Sequence, residues 1–200
     1  YNYREEHSMR FIFVRHGKTH FNELNLTQGW CDSPLSQSGR RQVEGLKSKL
    51  EDTKIDAAYS SPLGRAVETA EILIQGRKIE LVQDKRLKEI NFGIMEGISQ
   101  DLVQKLQIES RDWLNDMCMD YRPYEGEEIH EVIKRQERFL EDIGQRHHQD
   151  ETILIVGHGC SLYAFLKESV IKHQKFEFLD NAGAIMICHE EGKNTVEKIY

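Results

Sequence analysis

The sequence predicts an α/β fold with a largely parallel sheet, on two observations. Short apolar runs of strand length recur along the chain, and amphipathic helical patterns stand between them. Near-continuous apolar runs suit strands covered on both faces, and their alternation with helices suits strand–helix–strand units.

Taken in order, Phe11-Ile12-Phe13-Val14 reads as a first buried strand. Val43, Leu46 and Leu50 then share a helix face at i, i+3 and i+7. Ile55–Tyr59 and Ile79–Val82 read as weaker strands. Between them Leu63, Val67, Ala70 and Ile74 mark a helix, with Ser61 as its expected N-cap and Pro62 at its first position. Residues 98–126 break the rhythm. They hold two short helical patterns, Leu102/Leu106 and one around Trp113-Leu114, together with Met117, Met119, Tyr121 and Tyr124. An insertion over the sheet is expected there, built either as core-capping helices or as a substrate lid. Ile129, Val132, Ile133, Gln136, Leu140 and Ile143 then form the stripe of a long helix ending near His147. Thr152–Val156 is a second strongly apolar strand, and Leu162, Phe165, Leu166 and Ser169 mark a helix after Gly159. Ala184–Cys188 reads as a strand and Thr195–Tyr200 as an edge strand.

Composition bounds the function. The chain has 200 residues, 38% hydrophobic and 30% charged, with 3 Pro and 14 Gly, which excludes disorder and collagen-like repeats. At roughly 150 residues per domain this is one domain with a real core. Ordered-looking sequence begins at Arg10, so residues 1–9 are expected to be an N-terminal extension, with a natural start at Met9, and 10–200 the domain. The 27 basic and 34 acidic residues leave a net charge of −7, which lacks the footprint of a nucleic-acid binder. An anion site must therefore be a local concentration of positive charge. Cys31, Cys118, Cys160 and Cys188 form no C-x-x-C pair. Neither a disulfide framework nor a zinc site is expected, and reduced thiols fit a cytoplasmic protein. No run has signal-peptide or membrane-span character, so no membrane partner is expected. A homodimer is compatible with the sequence.

In an open parallel sheet, ligands bind beyond the carboxyl ends of the strands. Arg15-His16-Gly17 follows the first strand, Ser60-Ser61-Pro62-Leu63-Gly64-Arg65 the second, and Gly157-His158-Gly159 the strand at 152–156. Two arginines and two histidines thus leave three strands at one edge, joined by Glu89, Asn91, Gly93, Glu96 and Gly97 from another segment. The set suits a phosphoryl group. Guanidinium forks match phosphate oxygens, helix N-termini add N–H donors, and glycines allow close backbone approach. A neutral imidazole can attack phosphorus, and a carboxylic acid can protonate the leaving alkoxide. Each group also has a plainer reading: loop hydrogen bonds for Arg15 and His16, a surface cation for Arg65, a core histidine for His158, a solvated carboxylate for Glu89.

Arg15-His16-Gly17 with Thr19 and Asn22, Gly29-Trp30, Pro34-Leu35-Ser36, Ser60 to Ala66 with Thr69-Ala70, Glu89 to Gly93 running to Glu96-Gly97, and Gly157-His158-Gly159 follow one another in order. Together they resemble the motifs of the histidine phosphatase (phosphoglycerate mutase-like) superfamily, and of its small bacterial phosphatases in particular. The resemblance implies a three-layer α/β/α sandwich with a mostly parallel central sheet and a small inserted helical cap. It implies His16 as the nucleophile that becomes phosphorylated and Glu89 as general acid, then base. Arg15, Arg65 and His158 would complete the catalytic phosphate pocket, with Gly17, Asn22, Gly29 and Gly159 as further phosphate or substrate contacts. No metal or cofactor is implied, and the partner is a small phosphomonoester.

Lys18, Ile94-Met95 and Cys160-Ser161-Leu162 depart from the commoner family pattern and bear on substrate identity rather than on the reaction. Where a mutase carries a substrate-binding Arg after its general acid, this chain has Ile90, which favours hydrolysis over mutase activity. A non-catalytic phospho-ligand sensor and a Cys160 thiol nucleophile are the competing readings. Electrostatic catalysis further predicts that Arg15→Ala and Arg65→Ala each lower activity far more than stability.

Overall fold

The computed structural model describes residues 8–106, 117–172, 176–190 and 192–200. Six strands form one sheet: β1 (Met9–Arg15), β2 (Ala57–Ser60), β3 (Leu81–Gln83), β4 (Thr152–Gly157), β5 (Ala184–Glu190) and β6 (Lys193–Ile199), in the order β3-β2-β4-β1-β5-β6. The four strands from β3 to β1 are parallel, whereas β5 and β6 run antiparallel at one side. In the register, Arg15 lies opposite Gly157 and Ser60 opposite Val156. The carboxyl ends of β1, β2 and β4 therefore finish level, and the loops that follow them emerge side by side.

Period-two alternation produces the layers. Phe11, Phe13, Ile153, Ile155, Ile185 and Ile187 face one side, where Phe139, Ile143, Leu162 and Phe165 cover them. Those covering residues come from α5 (Ile129–Arg146) and α6 (Gly159–Phe165), the latter running on into a π-helical turn over Leu166–Val170. Ile12, Val14, Ala58, Leu154, Val156 and Ala184 face the other side, under Val43, Leu46, Ala66, Ala70 and Leu73. These belong to α2 (Gln37–Lys49) and α3 (Gly64–Ile74). A one-residue helical turn shift in any of these stripes would turn apolar side chains to solvent, at roughly 1.5–3 kcal/mol for each large one. Helix α1 (His20–Glu23) is a single turn closed by a capping box between Thr19 and Asn22.

Three local expectations are corrected. Helix α3 starts at Gly64 with Leu63 as N-cap, because the Ser61 amide donates to the Val156 carbonyl at 3.0 Å and prolongs the extended chain. Its buried residues are Arg65, Ala66, Thr69, Ala70, Leu73 and Ile74, so Ala70 and Ile74 of the expected stripe are buried and Val67 is only half-buried. In the insertion, α4 (Gln100–Lys105) turns Val103 inward and leaves Leu102 and Leu106 exposed. The pattern expected around Trp113-Leu114 lies outside the described residues. Met117, Met119 and Tyr121 join Ile90, Phe92, Ile129, Val132 and Ile133 in a third apolar cluster, with Tyr124 packed against it.

Candidate active site

The site is assembled by the sheet. The His16 amide donates to the Gly157 carbonyl at 3.0 Å, adding one rung to the β1–β4 ladder, so His16 and His158 leave neighbouring strands together. Their rings stand 5.2 Å apart, and both are buried. His16 Nδ1 is 2.8 Å from the Gly17 carbonyl oxygen. A carbonyl only accepts, so the neutral ring carries its proton on Nδ1 and keeps the lone pair on Nε2. Burial holds the His16 pKa well below 6.5, and the charges of Arg65 and then Arg15 push it further the same way. Burial does the same to His158, followed by Arg65. Both imidazoles are thus neutral at ordinary pH.

Two guanidinium groups flank them. Arg15 Nη1 donates to the Leu179 carbonyl at 2.7 Å, and its guanidinium lies over the Phe178 ring at 5.0 Å. Arg65 is completely buried. Its Nη1 donates to the Cys31 carbonyl at 3.0 Å and to Asp32 Oδ1 at 2.9 Å, and its Nη2 to the Gly29 carbonyl at 2.6 Å. Arg15 Nε, Arg65 Nε and both ring nitrogens of His158 have no hydrogen-bond partner among the described residues. Buried polar atoms are ordinarily satisfied, so this concentration of available nitrogens marks a place prepared for an anion.

Glu89 is held from several directions. Its Oε1 accepts from the Ser161 amide at 2.7 Å and the Ile90 amide at 2.9 Å, and its Oε2 from the Cys160 amide at 3.0 Å. Its backbone carbonyl accepts from Trp30 Nε1 at 3.0 Å and Arg135 Nη2 at 2.9 Å. Arg135 also donates to the Arg86 and Lys88 carbonyls, at 2.6 and 2.7 Å, and pairs with Glu127 at 3.2 Å. Glu96 joins the two loops of the site. Its carboxylate accepts from the amides of Trp30 at 2.7 Å, Phe92 at 3.2 Å and Cys31. Burial and the neighbouring Glu96 carboxylate push the Cys31 thiol up to about 11.

A cavity of about 250 Å³ opens over this floor. Arg15, His16, Asn22, Glu89 and Gly159 lie on its wall, together with Cys160. Arg65 and His158 do not; they are fully buried, and the Arg65 charge nonetheless bears on both imidazoles. Asn22 Oδ1 accepts from the Thr19 amide at 3.1 Å and Asn181 Nδ2 at 3.3 Å. Gly159 has no room for a side chain, since a Cβ would come within 2.8 Å of the Phe178 ring and 3.2 Å of Arg15 Nε.

Two expected contacts are placed differently. The Gly17 amide donates to Thr69 Oγ1 at 3.0 Å, and a Cβ there would meet Val43 at 2.6 Å. That glycine is required by the packing of α2, not by the approach of a ligand. Gly29 is not on the cavity wall either; its carbonyl anchors Arg65. Asp32, Thr27, Gln28, Arg135, Phe178 and Asn181 were not singled out by sequence reasoning, although Gln28 stands directly before the Gly29-Trp30 motif. Among the described residues no group of three or more His, Cys, Asp or Glu could hold a metal ion, and no helix is long and apolar enough to cross a membrane.

Known proteins resemble this chain in sequence and in fold. The sequence profile of the histidine phosphatase superfamily (branch 1) matches residues 11–200. Phosphoserine phosphatase 1 of Hydrogenobacter thermophilus is 28% identical over 197 residues, 96% of this chain and 92% of that one. YhfR of Bacillus stearothermophilus superposes with a TM-score of 0.81 at 32% identity, over 94% of this chain and 95% of that one. A phosphoglycerate mutase from Bacillus anthracis gives a TM-score of 0.84 at 28% identity, over 96% and 92%.

Proposed function

Since this chain belongs to the histidine phosphatase superfamily, we propose that it is a metal-independent phosphomonoester hydrolase acting through a phosphohistidine at His16. The observation that carries the reading is the state of His16: neutral, protonated on Nδ1, and set between two arginines with its Nε2 lone pair available. That nitrogen attacks phosphorus while the ester P–O bond breaks and its electron pair leaves with the alkoxide. Glu89 supplies the proton the alkoxide takes up. In the second half Glu89 takes a proton from water, the water oxygen attacks phosphorus, and the N–P bond breaks to return the lone pair to His16. Arg15, Arg65 and His158 stabilise the charge on the transferring group from preorganised positions, the effect that typically contributes most to such rates.

The two phosphatase and mutase names among the relatives set the choice. Ile90 favours hydrolysis, because it is fully buried in the apolar cluster where a mutase would need a substrate-binding cation. The test is direct. The protein is incubated with an aryl phosphate, and separately with 3-phosphoglycerate plus bisphosphoglycerate. Phosphate release is expected to outrun isomerisation, and the reverse would overturn the assignment. An acid-labile phosphoenzyme is expected to be trapped from the wild type and lost in His16→Ala. Activity in that variant would remove the mechanism, and normal activity in Cys160→Ala disposes of a thiol nucleophile.

A further inference from the structure

Building on the phosphatase reading of the same site, we propose that the substrate is the phosphate ester of an uncharged alcohol bearing an aromatic or other flat apolar face. Esters whose alcohol portion is itself anionic are then poor substrates. The inference comes from the apolar and neutral polar residues of the cavity wall. Phe92 and Phe178 contribute rings to the wall, and Tyr121, itself fully buried, braces Phe92 edge-on with centroids 4.8 Å apart. Such ring surfaces favour a flat apolar partner and offer an anion nothing.

Among the described residues, the polar side chains of the wall outside the phosphate floor are neutral. Thr19 Oγ1 donates to Gln28 Oε1 at 2.7 Å, which fixes the amide so that Nε2 turns away from it. Gln28 is 9% exposed, and its Nε2 has no partner among the described residues; the Thr27 hydroxyl, 5% exposed, has none either. Both residues line the cavity. On α4, Gln100 and Gln104 stand one turn apart at the exposed rim and present two more carboxamides. Among the described wall residues the charged ones are Arg15 and Glu89, which belong to the floor that handles the phosphoryl group and its proton. A carboxylate on the alcohol portion would be taken out of water beside amides, aromatic rings and Glu89. Burial of a charge without a partner is unfavourable, whereas hydroxyls and ether oxygens are matched by amide donors.

The experiment compares benzyl phosphate, 3-phosphoglycerate and O-phosphoserine, all esters of primary alcohols, so that leaving-group chemistry is similar. Benzyl phosphate is expected to show a kcat/KM at least about tenfold above the other two. Gln104→Lys, an exposed change on the rim, is expected to raise the ratio of 3-phosphoglycerate to benzyl phosphate about three- to tenfold. A wild-type protein that hydrolyses 3-phosphoglycerate, whose alcohol portion is anionic, or O-phosphoserine, whose alcohol portion is a zwitterion, as well as benzyl phosphate overturns the inference and leaves the phosphatase reading intact. An unchanged ratio in the Lys variant also overturns it. Failure to hydrolyse any ester, with no phosphoenzyme trapped, removes both.

Discussion

His16 and His158 sit 5.2 Å apart beside Arg15 and Arg65, so a proton on either ring would add a like charge to a site that burial already keeps out of water. Unfolding releases both to an ordinary pKa near 6.5. Below that pH the unfolded chain takes up protons that the folded one refuses. Stability is therefore lost as pH falls through 6.5 toward the depressed folded-state values, by about 1.4 kcal/mol per pH unit for each histidine. Urea denaturation of the wild type and of His158→Gln between pH 7 and pH 5 checks this, with the shallower loss expected in the variant. The arginines behave unlike one another. Arg15 gives up one carbonyl when truncated, so Arg15→Ala is expected to lower kcat/KM by about 10²–10³ with a small change in denaturation midpoint. Arg65 is completely buried and satisfies the Gly29 and Cys31 carbonyls and Asp32. Arg65→Ala takes this partner from all three and empties a fully buried position, so the expectation of an effect on activity alone does not extend to it. Arg65→Lys separates the two effects, since it keeps the charge but loses the fork: kcat/KM is expected to fall at least about tenfold with the fold retained, measured by turnover beside circular dichroism.

Among the elements, the longest helix does more than cover the sheet. Arg135 on α5 ties down the carbonyls of Arg86, Lys88 and Glu89 and so fixes the segment from which the Glu89 carboxylate reaches the start of α6. Lysine at this position cannot span three carbonyls. Arg135→Lys is expected to lower stability by about 1–3 kcal/mol and to reduce kcat more than it raises KM, as read from urea titration and steady-state kinetics. The amphipathic stripe of α5 was legible in the sequence because its buried positions repeat over five turns. Arg135 was not, since its partners are main-chain oxygens more than 40 residues away, with no characteristic spacing. Asp32 acts by the same kind of contact and is equally hard to assign from sequence, whereas Glu96 was marked by its place in the segment from Glu89 to Gly97. The short helix α4 was misread for another reason. Leu102 and Leu106 suggest a face, but a six-residue helix needs only one inward residue, and Val103 supplies it. At α3 a sequence-local cap signal at Ser61 lost to a sheet hydrogen bond formed with β4, a partner nearly a hundred residues distant.

For the molecule as a whole, the strands were readable because both faces of the sheet are covered, so β1 and β4 carry almost uninterrupted apolar side chains. Their order was not written in any one run. It puts β4 between β2 and β1, and that insertion brings residues 16 and 158 side by side. The site is thus a property of the assembled sheet, and its charges act on the stability of the entire fold. Two guanidiniums and two neutral imidazoles meet there, with Asp32 paired to Arg65 and the Glu89 carboxylate acting on both arginines. An oxyanion bound among them relieves the mutual repulsion and gives the available nitrogens acceptors, and it binds the native state alone. Linkage then requires a rise in stability of about 2.7 kcal/mol at a hundredfold excess over Kd. For a chain of this size that is about 5–10 °C in Tm. Orthovanadate and inorganic phosphate are expected to give such shifts in calorimetry, and to compete with substrate in turnover. The shift is expected to collapse in Arg15→Ala, which removes a donor from the wall while leaving the sheet as it is. Equal shifts in the variant and the wild type would place the anion somewhere other than over His16.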